Sequence, residues 1–178
     1  MVYNKEGKAI PIAEATEDDK SITGNGLPKF TGSMTHNFVY KNFDLTIALR
    51  GACGFEIFNV HDFYYGLQSG TTNLLTTAFS KNAHIKKGIN ILSDYFIEPG
   101  DYLKIDNITL GYTLDIKKKY IDRIRVFGTA NNLYTFTKFS GVDPSTYQVN
   151  GLTPGTFGGN ANYYPSAFQF ILGLQVNF

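Results

Sequence analysis

The sequence is short of charge, of cysteine and of long apolar runs, and each shortage removes a class of protein. Only 17% of residues are charged, against about 25% in soluble domains. The net charge is +1, which gives neither the basic footprint of a nucleic-acid binder nor an acidic tail. The single cysteine, Cys53, cannot close a disulfide within the chain and reads as a small apolar filler of a strand. Beside one thiol, the dispersed His36, His61 and His84 make no four-ligand zinc set. No metal and no cofactor are expected. No segment approaches ~18 consecutive apolar residues, so no membrane helix is expected.

Catalytic patterns are scarce as well. Asp94, Glu98 and Asp101 crowd one stretch but lack the Asp, Asn, Gly and Glu spacing of a calcium loop. They read as solvated loop charges. Ser140 and Ser166 lack the flanking glycines of a nucleophile elbow. Gly158 and Gly159 are followed by Pro165 and a strand, not by the helix and Lys-Ser/Thr of a phosphate loop. No enzyme is expected.

What is abundant is aromatic and small: 15 Phe, 12 Tyr and 18 Gly. Such a composition suits a membrane barrel with aromatic girdles and suits a secreted β-sandwich equally well. The last stretch, Phe168 to Phe178, separates them. Phe168, Phe170, Leu172, Leu174, Val176 and Phe178 share one face of a strand, while Gln169, Ile171, Gly173, Gln175 and Asn177 share the other. The alternation runs as long as a tilted bilayer-spanning strand needs, about 9–11 residues, and it ends on an aromatic.

Four further runs alternate in the same way. Lys29 to Tyr40 and Phe43 to about Phe55 are separated only by Lys41-Asn42, a two-residue hairpin turn in which Asn tolerates positive φ. That turn pairs 40 with 43, 38 with 45 and 34 with 49, apolar face to apolar face. His36 is the one awkward residue on this face. Tyr102 to Leu114 aligns Ile108, Leu110, Tyr112 and Leu114, but Lys104 and Asp106 carry the same parity. A bulge near Asp106 or projection of that end beyond the lipid would explain them; projection is the expectation. Arg123 to Phe136 sets Ile124, Val126, Gly128, Ala130 and Tyr134 against Arg123, Arg125, Thr129 and Asn131. Arg50, Arg123 and Arg125 are expected to face a lumen.

Connection lengths alternate. Lys41-Asn42 and Asp115–Asp122 are short, the latter with a solvated Lys117-Lys118-Lys119 run, while 1–28, about 57–101 and about 138–165 are long. Bacterial barrels have short periplasmic turns and long extracellular loops, which would put the C-terminus in the periplasm. The fold expected is all-β: an antiparallel up-and-down meander of about five strands, the C-terminal part of a transmembrane β-barrel in a bacterial outer membrane. Residues 1–28 would be an extracellular loop remnant and 29–178 the barrel strands. Met1 to Lys8 has no apolar h-region, so an exported barrel would have its front upstream of this sequence. The alternative is a secreted β-sandwich binding glycans through its loops.

Several strings carry a resemblance: Gly24-Asn-Gly-Leu-Pro-Lys-Phe30, Tyr40-Lys-Asn-Phe-Asp-Leu45, Gly54-Phe-Glu-Ile-Phe-Asn59, the run from Gly100 to Leu114, the run from Ile124 to Thr135, Gly141-Val-Asp-Pro144 and Tyr164-Pro-Ser166. In order and spacing they resemble the C-terminal end of the SusC/RagA family of TonB-dependent outer-membrane transporters. Departures are Lys29, where the family usually has an acidic residue, and the lack of Trp between Asn73 and Lys81. The resemblance implies a nutrient importer of glycans or peptides: a 22-stranded barrel with an N-terminal plug, energised through the TonB complex and capped by a SusD-like lipoprotein. This sequence would supply only the final five strands, in contact with outer-membrane lipid and the remainder of the barrel and plug. It implies that Phe178, with Val176 and Leu174, is read by the barrel-assembly machinery. It makes Phe63, Tyr64, Tyr65, Tyr147, Tyr163 and Tyr164 candidates for ligand or lid contacts.

Overall fold

The structure is a computed structural model describing residues 2–11, 14–68, 73–85, 92–118, 120–146 and 166–178. Among the described residues the strands are β1 (Val2–Tyr3), β2 (Ala9–Ile10), β3 (Phe30–Tyr40), β4 (Phe43–Cys53), β5 (Glu56–Phe58), β6 (Ile97–Pro99), β7 (Tyr102–Lys118), β8 (Ile121–Thr137) and β9 (Gln169–Asn177), with one α-helix, α1 (Val60–Tyr65). The five long strands form one antiparallel sheet in the order β3-β4-β7-β8-β9. This is the expected meander, with β3 and β9 as its edges. The other two sheets are two-stranded, β1-β2 and β5-β6.

The first hairpin has the register that its sequence dictates: Tyr40 opposite Phe43, Phe38 opposite Leu45, Met34 opposite Leu49. The turn works differently from expectation. Lys41, at φ 54, holds the left-handed conformation, and Asn42 does not. Asn42 instead donates from Nδ2 to the Thr113 carbonyl at 2.6 Å, while Thr113 N–H donates to the Asn42 carbonyl at 2.8 Å. The turn is thereby tied to β7, two strands away from β3.

The second hairpin is longer than the sequence pattern indicated. β7 runs to Lys118 and β8 begins at Ile121, with Lys118 opposite Ile121. Lys117 sits at φ 49, and Lys117 and Lys118 are exposed; Lys119 lies outside the described residues.

The far end of β7 does not project; it bulges. Between the rows of Ile47 and Leu49, β4 advances two residues, β7 three (Ile108 to Ile105) and β8 four (Ala130 to Tyr134). Each strand adds one residue to its neighbour, and Asn132, at φ 52, lies in the widest step. Inserting one residue flips the pleat. Leu103 and Ile105 therefore rejoin the face of Ile108, and Lys104 moves to the opposite face. In the sequence the flip shows as two adjacent polar residues, Asp106-Asn107, between Ile105 and Ile108.

The β3–β4 and β7–β8 strand ends meet at one end of the sheet, and β4 and β8 leave into their long connections at the other. The described part of the first long connection carries β5, α1, β6 and two 3-10 turns, Thr76–Phe79 and Asp94–Phe96. Its apolar residues form two small cores: Phe55 and Ile57 with Ala52 and Phe139, against Tyr102; and Phe63, Leu67 and Phe96, against Phe58 and Ile85. Ala52 shares its face of β4 with Arg50, two residues earlier, so this rim folds over the polar side of the sheet. No described helix is long and apolar enough to cross a membrane, which says nothing of crossing by strands.

Candidate functional site

The sheet has two unlike faces and a built rim. On the apolar face the register aligns Tyr40, Phe43, Tyr112, Val126 and Leu174 in one row. The next rows are Phe38, Leu45, Leu110, Gly128 and Leu172, then His36, Ile47, Ile108, Ala130 and Phe170. Aromatics mark both ends: Phe43 packs on Tyr112 with ring centroids 4.6 Å apart, and Tyr134 on Phe136 at 4.7 Å. With the two residues taken up by the bulge set aside, β8 covers ten strand steps from Ile124 to Phe136, roughly 33 Å along a strand and about 25 Å along the normal at a tilt of ~40°. An outer-membrane barrel's lipid band has that height.

This face is bare. Phe170 is 63% exposed, Leu172 73% and Leu110 53%, and no second layer packs on them among the described residues. In water such a surface is unfavourable, at about 25 cal/mol per Å² of apolar area left wet. A sandwich would have buried it. His36 lies in the middle row on edge strand β3, stacked on Phe38 at 5.8 Å between centroids.

The opposite face is polar and paired. Arg50 bridges to Asp106 at 2.9 Å and Arg123 to Asp115 at 3.1 Å. Arg125 reaches across β7 to Asp44 with both Nε and Nη2 and lies over the Phe127 ring at 4.9 Å. Two glycines make this possible. A Cβ on Gly111 would land on the Asp44 carboxylate and the Arg125 guanidinium, and one on Gly173 would land on the Phe127 ring. Between the ion pairs runs a neutral ladder: Thr46 Oγ1 donates to Asn37 Oδ1 at 2.8 Å, Asn107 Nδ2 to Asn131 Oδ1 at 2.7 Å, and the Thr109 and Thr129 hydroxyls meet at 2.9 Å. Arg50, Arg123 and Arg125 thus lie opposite the apolar rows, as the period-two reading required.

At the rim, the carboxylates expected to be solvated are engaged. Glu98, with a side chain only 12% exposed, accepts from Ser140 N–H at 2.7 Å, Ser140 Oγ at 2.7 Å, Asn59 Nδ2 at 3.3 Å and Lys81 Nζ at 3.3 Å. Asp101 accepts from Gly54 N–H at 2.7 Å, although it and Asp94 are both exposed. Burial pushes the Glu98 carboxyl up, but the Ser140, Asn59 and Lys81 donors outweigh it and hold it below the usual range. Asp143 behaves alike: burial raises it, and Lys104 with Ser145 lowers it further than burial raises it. The Lys104 side chain is 2% exposed, and its amine meets Asp143 at 2.8 Å. The Gly141-Val-Asp-Pro144 string therefore supplies the counter-ion for a buried lysine.

The candidate contact residues separate. Phe63 is 7% exposed inside a rim core, Tyr65 is half-buried, and Tyr64 is 51% exposed. Tyr147, Tyr163 and Tyr164 lie outside the described residues. Phe178 and Leu174 are exposed and Val176 half-buried. Cys53 is exposed at the end of β4, opposite Phe30. Rim clefts of about 490 Å³, beside Asn25, Glu56 and Asp101, and about 250 Å³, beside Lys104, Tyr134 and Asp143, complete the surface.

No family model matches the sequence. TonB-dependent receptor SusC of Bacteroides thetaiotaomicron is 32% identical over 202 residues, covering 100% of this chain and 19% of that protein. TonB-dependent receptor P3 of Formosa agariphila is 26% identical over 182 residues, covering 93% of this chain and 18% of that protein. The chain thus spans about a fifth of the length of the curated relatives it matches. Among solved structures, the RagAB peptide importer in its closed-closed state superposes with a TM-score of 0.74 at 21% identity, covering 99% of this chain and 20% of that one. The open-open state gives 0.64 at 20% identity over 95% of this chain and 19% of that one. By sequence and by fold the chain resembles, over its whole length, the C-terminal barrel segment of SusC/RagA-family TonB-dependent receptors.

Proposed function

We propose that this chain forms the closing wall and rim of a TonB-dependent outer-membrane importer of glycans or peptides, and that it is not an enzyme. One observation carries the reading: a single sheet with a bare apolar face of bilayer height, aromatic at both ends, backed by a face whose arginines are all ion-paired. Lipid removes the apolar face from water, and the polar face lines the lumen beside a plug contributed by other parts of the protein. Residues 29–178 make the wall, and 1–28 belong to an extracellular loop. The long connections lie outside the cell and the short turns and Phe178 in the periplasm. A SusD-like lipoprotein caps the rim, where exposed Tyr64 is offered to ligand or lid. TonB acts through other parts of the importer. Phe178, with Leu174 and Val176, is an aromatic-ended strand edge for the barrel-assembly machinery to grip.

The test is uptake of fluorescent oligosaccharides and peptides by cells lacking the full-length receptor and by cells with it restored, with and without functional TonB. Import of one class that requires both is expected; equal import without the receptor overturns the reading. In the same cells, deleting Phe178 should lower the amount of folded receptor and leave uptake per folded molecule unchanged. Normal receptor amounts with impaired uptake would move Phe178 onto the transport path.

A further inference from the structure

The two connections at the rim are separate in sequence and meet at one carboxylate. Glu98 stands on β6, in the connection between β4 and β7; Ser140 stands in the connection after β8. Both Ser140 donors, N–H and Oγ, go to Glu98, one to each oxygen, at 2.7 Å. From the other side Asn59 and Lys81 reach Glu98 Oε1, each at 3.3 Å, and Asn59 Nδ2 also lies 3.1 Å from Ser140 Oγ.

Each of those partners organises its own segment. Asn59 is the N-cap of α1, its Oδ1 accepting from Asp62 N–H at 3.1 Å. Lys81 also lies 3.5 Å from Asp62, whose other oxygen accepts from Thr77 at 2.7 Å and from fully buried Asn82 at 3.0 Å. Asn82 in turn accepts from Tyr95 at 2.8 Å. The network therefore runs from α1 through both 3-10 turns to β6, and crosses to the second connection at Glu98. A carboxylate with its acceptor capacity nearly filled and little water access is a stiff joint.

We propose that Glu98 is a positioning residue that locks the two connections into one body, so that whatever displaces one displaces the other. The rim then acts as a rigid platform, and a change at the segment after β8 is felt at α1. The proposal takes the importer rim as its setting, but its test uses no cargo, so failed import and a failed latch are told apart.

The experiment is backbone hydrogen exchange on the full-length receptor in detergent, comparing the parent with Ser140→Ala, Glu98→Gln, Glu98→Ala and the Ser140→Ala/Glu98→Ala double variant. Ser140→Ala removes one hydroxyl from the second connection. It should speed exchange of the Phe63 and Gly66 amides, in the first connection, about 2- to 10-fold, the size expected from loss of one ordinary hydrogen bond. In the Glu98→Ala background the same substitution should add nothing at α1, because the joint is already gone. Glu98→Gln keeps an acceptor for Ser140 N–H but loses the charge facing Lys81. It should leave 138–141 protected and loosen only the Lys81 side. A Ser140→Ala effect confined to the second connection, or additive effects in the double variant, would overturn the latch. Should Glu98→Ala fail to fold, the single Ser140→Ala comparison still decides.

Discussion

In the wall, Phe170, Leu172 and Leu174 stand bare on a regular strand. A short distance away the rim hides Phe55, Ile57, Phe63 and Phe96 together with Asn59, Asp62, Asn82 and Lys104. The wall keeps apolar groups outside and charges inside, and its order is the period-two repeat of five long strands. The rim does the reverse, with short elements around small apolar cores and side-chain hydrogen bonds that satisfy what those cores bury. The difference is one of solvent. A surface facing hydrocarbon must have every backbone group paired within the sheet and can leave leucines uncovered. A structure in water must bury them and pay in buried polar groups that need partners.

The sharpest way to break this contrast is at Lys104, the rim's most buried charge. Asp143→Ala in the full-length receptor leaves its ammonium without a counter-ion, and removing one partner of a buried pair costs about 3–5 kcal/mol. The expected readout is early thermal loss and rapid proteolysis of the segment after β8. Lys104→Met in the same protein should recover most of the loss. A loss below about 1 kcal/mol, the scale of a surface pair, would mean that Lys104 is solvated.

The wall's matching test sets two adjacent residues against each other. Phe170→Arg puts a cation in the middle of the apolar band, where it costs roughly 2–4 kcal/mol. Gln169→Arg, one residue earlier on the polar face, should cost little. Folding of the full-length barrel into phospholipid vesicles, followed across a urea series, measures both. Equal losses would mean that the two faces are not lipid and lumen.

How far each region was legible in the sequence follows from the same contrast. The first hairpin could be read to the residue because alternation and turn length independently required one register, with Phe38 opposite Leu45. The bulge was one of two readings open near Asp106: the adjacent polar pair Asp106-Asn107 between Ile105 and Ile108 marks a phase change, but residue types alone did not choose a bulge over projection. The rim left no periodic trace. Asn59 meets Ser140 across a sequence separation of 81 residues, and Lys104 meets Asp143 across 39. Nothing in the spacing of Glu98 distinguished a latch from a solvated charge. The resemblance strings did hold Asn59, Lys104 and Asp143, without stating why, but neither Glu98 nor Ser140.

Smaller effects come from glycines on the two faces. A methyl group on Gly111 would meet the Asp44–Arg125 pair, whereas one on Gly128, on the apolar face, meets only Leu172 and Phe170 carbons at 3.5 Å or beyond, ordinary contact. Gly111→Ala should therefore cost about 1–3 kcal/mol, the range for forced overpacking, and Gly128→Ala should be near neutral. Urea unfolding of the full-length barrel in vesicles compares them. Equal costs would show that the ion pair yields freely.

The smallest effect concerns acid. Glu98 and Asp143 are both held below the usual carboxylate range in the folded rim, burial being outweighed by their donors. A carboxyl whose folded value is depressed binds protons more readily when unfolded. Its stabilisation is therefore complete above the unfolded value, about 4, and is lost as pH falls through the lower folded value. The rim should keep its protease resistance from neutral pH down to about 4 and lose it only below. The wall's strand ladders, built from backbone bonds and apolar contacts, should change less over the same range. Limited proteolysis with an acid-active protease, from about pH 5 down to 3 and mapped by segment, reads both regions at once. Cleavage between α1 and β6 or after β8 should rise before any cleavage within β7 or β8. Rim cleavage that already increases between about pH 6 and 5 would mean that these carboxyls are raised, not lowered, and that burial is the stronger influence on them.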